Sequence, residues 1–322
     1  MFKGFVCPVE DAKIDTDDCL HCAQANARPN CPFTAPVLKG IAERNGGRGF
    51  VGWSATTILG CPRAARLKGL IDYYLDPAEA YWAFRGQIAH AIVEDAAGRG
   101  VMTETRFART VTIDGVPVLV TGQPDVVYPE RGHLVDYKTT KKVPQGWFTY
   151  TCLDCGQVMQ EGKWKLRRGV RKTCPHCGRN HSSSEVRKAL AVGPPRPYGS
   201  HTAQINIYAW LVADHVAVRS AEVVYLDMER MVRVPVELWD PERTEAMVGE
   251  RLAPLAAAEL PPALADDAPG KWRCKYCDVQ AACDALQSGA TLLDLTQREE
   301  EPCVLDVTEE AEAESEEPFV VL

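Results

Sequence analysis

VTGQPDVVYPERGHLVDYKTT, residues 120–140, decides how the rest of the chain is read. VVY (126–128) and HLVDYKTT (133–140) are β-rich, and PERG (129–132) between them is a turn signal. A loop symmetric about residues 130–131 sets Asp125 opposite Asp136. Directly opposed cross-strand neighbours lie about 5 Å apart, and like charges there are destabilising. A divalent cation compensates such a pair, since Mg²⁺ takes one or two carboxylates together with phosphate oxygens. Side chains alternate along a strand, so Lys138 shares the face of Asp136 while Tyr137 points away. Two acids and an amine on one face are what phosphodiester hydrolysis needs. The cation polarises phosphate and water, and the lysine stabilises developing charge. The bland alternative, two exposed aspartates and a surface lysine beside a turn, fits poorly with the apolar runs VLVTG, VVY and HLV around them.

Working outward, TRFARTVTI, then Asp114-Gly115, then VPVLVTGQPDVVY reads as a hairpin feeding an antiparallel meander. Before it, residues 54–75 read as helical, with Ser54 as N-cap and Pro62 at an early position or turn. Residues 78–98 form a second helix, in which Gly86 and His90 are one turn apart and the glycine allows close approach of a neighbour. After it, residues 201–216 are helical and place Gln204 and Tyr208 on one face. AEVVYLD and MVRVPVE are strands, and Asp240-Pro241 opens a helix running to about Glu259. The expected fold class is α/β, a mixed sheet flanked by helices.

The chain has 322 residues, 46% of them hydrophobic, enough for a large core. It shows neither a secretory signal nor an apolar run of membrane-spanning length, so a cytoplasmic location without membrane contact is expected. Thirteen cysteines, many in CxxC pairs, favour metal sites over disulfides. Cys7, Cys19, Cys22 and Cys31 form one group, with a second zinc site, free thiols or a partner-binding arm as its readings. Cys152, Cys155, Cys174 and Cys177 form two CxxCG knuckles, the spacing of a Cys₄ zinc ribbon. Cys274, Cys277 and Cys283 lack a fourth ligand unless Cys61 supplies it, and Cys303 lies apart in the tail.

Net charge is −8, but residues 297–322 alone carry −9, which leaves the remainder at +1. Residues 141–196 hold twelve Lys or Arg against three acids. That stretch can follow a phosphate backbone. Within it Lys163, Lys165, Arg167, Arg168, Arg171 and Lys172 surround Trp164 and are the expected nucleic-acid contacts; a structural staple with a solvated basic surface is the alternative. The expected organisation is a Cys-rich arm of irregular structure (1–48), a core in two pieces (49–141 and 197–290), a ribbon insertion (142–196) and an acidic disordered tail (291–322).

Taken in order, Gly86-x3-His90, Gly122-Gln123-Pro124-Asp125, Asp136-Tyr137-Lys138 and Gln204-x3-Tyr208 resemble the RecB-like branch of the PD-(D/E)XK nuclease superfamily. The resemblance spans residues 86–208 and implies a PD-(D/E)XK core. It implies that His90, Asp125, Asp136 and the Tyr137 carbonyl hold Mg²⁺ or Mn²⁺. Lys138 would be the catalytic lysine, Gln204 and Tyr208 would contact DNA or support the site, and Glu104 would be auxiliary. The chain is also similar to CRISPR-associated RecB-like exonucleases, which carry one cysteine before the core and three after it. By that similarity Cys61, Cys274, Cys277 and Cys283 hold a [4Fe–4S] cluster that staples the ends of the core; a zinc knuckle with another fourth ligand is the alternative. The activity implied is a metal-dependent DNA nuclease, an exonuclease on single-stranded ends, in CRISPR spacer acquisition or in phage or repair DNA processing. Its partners would be DNA and a CRISPR integrase or another DNA-processing protein. A catalytically silent nucleic-acid-binding module on the same scaffold is the competing reading. The arm and the ribbon lie outside the family pattern.

Overall fold

Residues 1–46, 52–96, 98, 100–162, 165–266, 268 and 270–296 are described by a computed structural model. The arm expected to be irregular is ordered. β1 (Phe2–Val6) pairs antiparallel with β2 (Lys13–Asp15), and α1 (Thr16–Gln24) and α2 (Ala35–Asn45) close over them. Phe5, Leu38 and Ile41 are buried at their centre. These elements are too short for periodicity to reveal, and cysteines and prolines interrupt the pattern.

The helix expected over 54–75 is divided. β3 (Trp53–Ser54) leads into α3 (Ala55–Ile58), which Ser54 caps by accepting from Thr57 N at 3.1 Å. Gly60 and Cys61 interrupt it, and α4 (Pro62–Leu70) restarts with proline at its first position. β4 (Tyr73–Leu75) then pairs parallel with β1, tying the arm to the rest of the chain. α5 (Pro77–Ala96) is a single long helix, as its sequence indicates.

Next come β5 (Met102–Thr103), β6 (Phe107–Ile113), β7 (Val116–Gly122), β8 (Val126–Tyr128) and β9 (His133–Thr139). Asp114 and Gly115 turn the β6–β7 hairpin with φ of 48° and 81°. The expected single meander is corrected here. Pro124 has no N–H for a ladder, and Gln123-Pro124-Asp125 splits the run 116–128 between two sheets. β7 belongs to the sheet β3-β7-β6, whereas β8 belongs to a five-stranded sheet. The β8–β9 register pairs Val126 with Val135 and Tyr128 with His133, symmetric about residues 130–131.

Residues 147–193 build a small unit with its own core. β10 (Trp147–Thr151), β11 (Val158–Gly162) and β14 (Leu190–Gly193) form one sheet, β12 (Lys172–Thr173) and β13 (Asn180–His181) a second, and α6 (Ser183–Lys188) packs beside them. Phe148, Tyr150, Met159 and Val186 are buried together there. A full capping box, Ser182 with Glu185, starts α6.

The chain returns through α7 (Gly199–Val212), β15 (Ser220–Leu226), β16 (Met231–Val236) and α8 (Pro241–Ala256). α8 ends earlier than expected, and its N-cap Asp240 makes no side-chain cap bond. β15 runs parallel to β9, which completes the mixed sheet β16-β15-β9-β8-β5. α7 is buried on nearly every side between the strands and α8, with Ile205, Ile207 and Leu211 inaccessible. Truncating any one of them to Ala costs about 2–5 kcal/mol. A 3₁₀ turn (Lys271–Tyr276), α9 (Gln280–Gln287) and α10 (Leu292–Thr296) end the described chain. α10 corrects the expectation of disorder from residue 291, while the rest of the acidic tail, Cys303 included, lies outside the described residues. Among the described residues no helix is long and apolar enough to cross a membrane.

Candidate functional site

β9 is flanked by β8 on one side and β15 on the other, so Asp136 sits mid-sheet, paired with Val223 and 1% exposed. Asp125 follows the Pro124 break, is 4% exposed, and accepts from Tyr137 N at 2.5 Å. His90 arrives from α5 with its Nδ1 3.0 Å from Asp125 Oδ1 and 3.2 Å from Glu104 Oε1. His90, Glu104 and Asp125 lie close enough together to hold a metal ion. Lys138 Nζ is 2.6 Å from Asp136 Oδ2, which puts both on the face that strand alternation requires.

The charge balance of this cluster is uneven. Both Asp136 oxygens are buried without a hydrogen-bond donor; the Lys138 contact is an ion pair off the hydrogen-bonding direction. A buried carboxylate in that condition is costly unless something else satisfies it. Burial pushes Asp136 up to about 6, and the Asp125 charge adds to this against the pull of Lys138. Hydrogen bonds to Asp125 and Glu104 push His90 up to about 10. The cluster as it stands therefore carries protons that a cation would displace. An undercoordinated buried carboxylate next to an acid–imidazole–acid group fits a divalent ion.

A cleft of about 1110 Å³ opens over these groups. Its lining includes His90, Glu104, Asp125, Tyr137, Lys138, Gln204 and Tyr208. Asp136 lies behind the lining rather than in it. Gln204 and Tyr208 form the floor: Gln204 Nε2 donates to Tyr208 Oη at 2.8 Å and to Thr56 Oγ1 at 3.2 Å. Burial, then the charges of Asp136 and Asp125, hold the Tyr208 phenol well above its usual range. Gly122 explains the first residue of its motif, because a Cβ there would meet Leu211 Cδ1 at 2.5 Å and Tyr208 Cδ1 at 2.9 Å. Gly86 does not play the expected close-approach role, since a Cβ there would make only ordinary contact with Thr139 at 3.5 Å.

Several contributors escaped the sequence. Gln123 Nε2 donates to Glu104 Oε2 at 2.7 Å and its Oε1 accepts from Arg106 at 3.1 Å, linking the cluster to a cation in the cleft wall. Arg273, beside Cys274, also lines the cleft. Glu104 holds its place with φ of 44°, a conformation rare for a non-glycine residue. Glu104 was expected as an auxiliary residue, though not its partners; for Gln123 the adjacency to Asp125 was the clue, and Arg106 and Arg273 had none.

The three cysteine groups differ. Cys152, Cys155, Cys174 and Cys177 lie together and can hold a metal or cluster, with Cys152–Cys177 and Cys155–Cys174 sulfur separations of 3.7 Å. The backbone N–H groups of Cys155 and then Asp154 hold the Cys152 thiol below its usual range. The fully buried His181, which the sequence did not single out, contacts Cys152 Sγ through Nε2 at 3.2 Å. Lys165, Arg167, Arg168 and Arg171 are exposed beside this group and Lys172 is half-buried; Lys163 and Trp164 lie outside the described residues.

At the other end of the chain, α9 packs on α4. Cys277 and Cys283 join Leu67, Ile71 and Val279 in one cluster, Cys61 stands at the N-cap position of α4, and Arg63 Nε donates to Cys283 Sγ at 3.1 Å. Lys68 and Asp278 add an ion pair. Cys274 sits in the 3₁₀ turn leading to them. Cys7, Cys19, Cys22 and Cys31 surround a small cavity in the arm. Neither of these two sets is drawn into the mutual contact that the ribbon cysteines make.

No protein-family model matches the chain, and no curated protein matches it. Among solved structures, the crystal structure of SSO0001 is similar at a TM-score of 0.47 and 17% identity, covering 77% of this chain and 94% of that one.

Proposed function

We propose that the chain is a Mg²⁺- or Mn²⁺-dependent phosphodiesterase acting on DNA, on a PD-(D/E)XK core. The observation that carries the reading is Asp136: a carboxylate 1% exposed, without a hydrogen-bond donor, beside Asp125 and Lys138. His90, Glu104, Asp125 and Asp136 are the residues that would hold the ion. When bound, the cation neutralises charge on the scissile phosphate and acidifies the attacking water. Lys138, at the cleft surface, orients that water or meets the charge growing on phosphorus. The Tyr137 N–H fixes one Asp125 oxygen, and Gln123 fixes Glu104. Gln204 and Tyr208 support the floor. Arg106 and Arg273 in the cleft wall are suited to phosphate. A cleft of about 1110 Å³ is roomier than a small ester requires.

The ribbon is assigned zinc. A tetrahedral site with Zn–S bonds of about 2.3 Å has sulfur–sulfur edges of about 3.8 Å, and the two separations here are 3.7 Å. With its exposed cations it serves substrate capture. Cys61, Cys274, Cys277 and Cys283 are assigned a [4Fe–4S] cluster, consistent with the packing of α9 on α4. An exonuclease on single-stranded ends, in CRISPR spacer acquisition or in phage or repair DNA processing, is the role this reading favours.

The test is cleavage of an end-labelled single-stranded oligonucleotide with Mn²⁺ by the wild type and by Asp136→Ala. Cleavage by the wild type alone supports the reading. Binding without cleavage by either protein would instead establish a nucleic-acid-binding module on this scaffold.

A further inference from the structure

The arm holds four thiols for which the proposed nuclease chemistry has no use. Cys19 and Cys22 are one turn apart on α1 and share a face. Cys7 follows β1, in a turn where its N–H bonds Ala12 O and its carbonyl accepts from Asp11 N. Cys31 follows a second reversal at Asn26, whose φ is 50°. All four line one cavity of about 40 Å³, with Phe5, Ile14, Phe33 and Leu38 among its other walls. Cys7 and Cys22 are buried, and all four cysteines are unbridged.

We infer that Cys7, Cys19, Cys22 and Cys31 are a second four-thiolate centre for a single soft divalent cation of the Zn²⁺ class. Soft thiolate ligands select such metals. Four thiolates complete the tetrahedral shell of one such ion. A cavity needs about 10–15 Å³ to take one water-sized sphere, so this one has room for it, and the sulfurs turn inward to meet on it. Binding releases the thiol protons to solvent. Charge is already provided for: Arg28 Nη1 donates to Cys22 Sγ at 3.0 Å while its Nε and Nη2 each bond Glu10 at 2.7 Å. A guanidinium held in that way offsets part of the negative charge of four thiolates.

The location gives the ion a structural consequence. Pro77, the first residue of α5, borders the same cavity. α2 presses on α5 at Gly40, where a Cβ would meet Phe84 at 2.6 Å. The centre thus braces the start of the helix that carries His90, and it stands whether or not the cleft hydrolyses DNA.

Full-length protein as isolated is treated with an alkylating reagent before and after chelation, and the modified cysteines are mapped. Protection of all four arm cysteines until chelation, with the fold retained by circular dichroism, is expected. Rapid modification of the untreated folded protein, or a disulfide among the four, would overturn the inference. As a second arm, Cys7→Ser combined with Cys31→Ser is expected to lose one equivalent of zinc with the visible spectrum unchanged. Full retention of zinc, or loss of iron and visible absorbance, overturns the single-ion assignment. Should that variant fail to fold, the alkylation of the wild type decides.

Discussion

The ribbon and the carboxylate cleft each gather charged ligands around a point, by opposite means. In the ribbon, two tetrapeptide knuckles on neighbouring hairpins bring sulfurs to 3.7 Å. Local geometry suffices, and the unit has its own core. The cleft draws on α5, the loop after β5, the break before β8 and the middle of β9. No two of these are local except across the 129–132 turn. The ribbon cysteines, close enough together to hold a metal, sit inside a unit with its own core. The cleft is held together by the surrounding core and keeps Asp136 buried, with Lys138 as its ion-pair partner.

The largest effect should come from Asp136→Asn. Cleavage should fall on the order of 10³-fold, as expected when several kcal/mol of metal-derived stabilisation is lost. Melting temperature of the metal-free protein should change little, because the lost Lys138 ion pair offsets the relief of removing a carboxylate whose burial disfavours its charge. A large drop in stability together with activity would make Asp136 a structural residue and erase the contrast with the ribbon.

Next is the ribbon itself. Cys152→Ser combined with Cys155→Ser should open residues 147–193 to limited proteolysis while the rest of the chain resists. Structural zinc supplies on the order of 10 kcal/mol to such units. His181→Ala should lower ribbon metal affinity by roughly 10–100-fold through loss of its contact with Cys152, measured by competition with a chromophoric chelator.

pH separates the two regions further. His90 is pushed up to about 10 from an ordinary 6.5, so its stabilising charge is complete below 6.5 and is lost as pH rises toward 10. Asp136 is pushed up from 3.8 to about 6, so the metal-free protein loses stability as pH rises from 3.8 to 6 and the group ionises. Both protons must leave for an ion to bind. Mn²⁺ affinity at the cleft should therefore climb between pH 6 and 10, as titration calorimetry can follow. A profile flat over that range would remove His90 from the ligand set.

The smallest effect concerns DNA capture. Lys165, Arg167 and Arg168 changed together to Ala should weaken single-strand binding and reduce the salt slope by about 2, at about 0.7 per phosphate contact. Cleavage of saturating substrate should be unaffected. An unchanged slope would leave the ribbon a structural staple.

What sequence conveyed follows the same division. The knuckles were legible because their spacing is local. The β8–β9 register was legible because a symmetric four-residue turn fixes it, and alternation then fixed the side of Lys138. The split at Pro124 was missed because the apolar run continues past it, although a proline without N–H is a stated reason to stop a strand. Ser54 was legible as a cap, but Gly60-Cys61-Pro62 divided the helix it starts. The arm was misread as irregular because tertiary packing of Phe5, Leu38 and Ile41, rather than periodicity, orders it. The exact company of Glu104 could not be read at all, since Gln123 and His90 meet it only through the folded sheet and helix.

The most direct measurement is Mn²⁺ titration of the wild type and Asp136→Asn, followed by the electron paramagnetic resonance of free Mn²⁺ at constant pH. The wild type should remove Mn²⁺ from solution at a site separate from the cysteine groups, and the variant should not. Equal uptake by both proteins, or none by the wild type even with single-stranded DNA present, would contradict a cation held between Asp125 and Asp136.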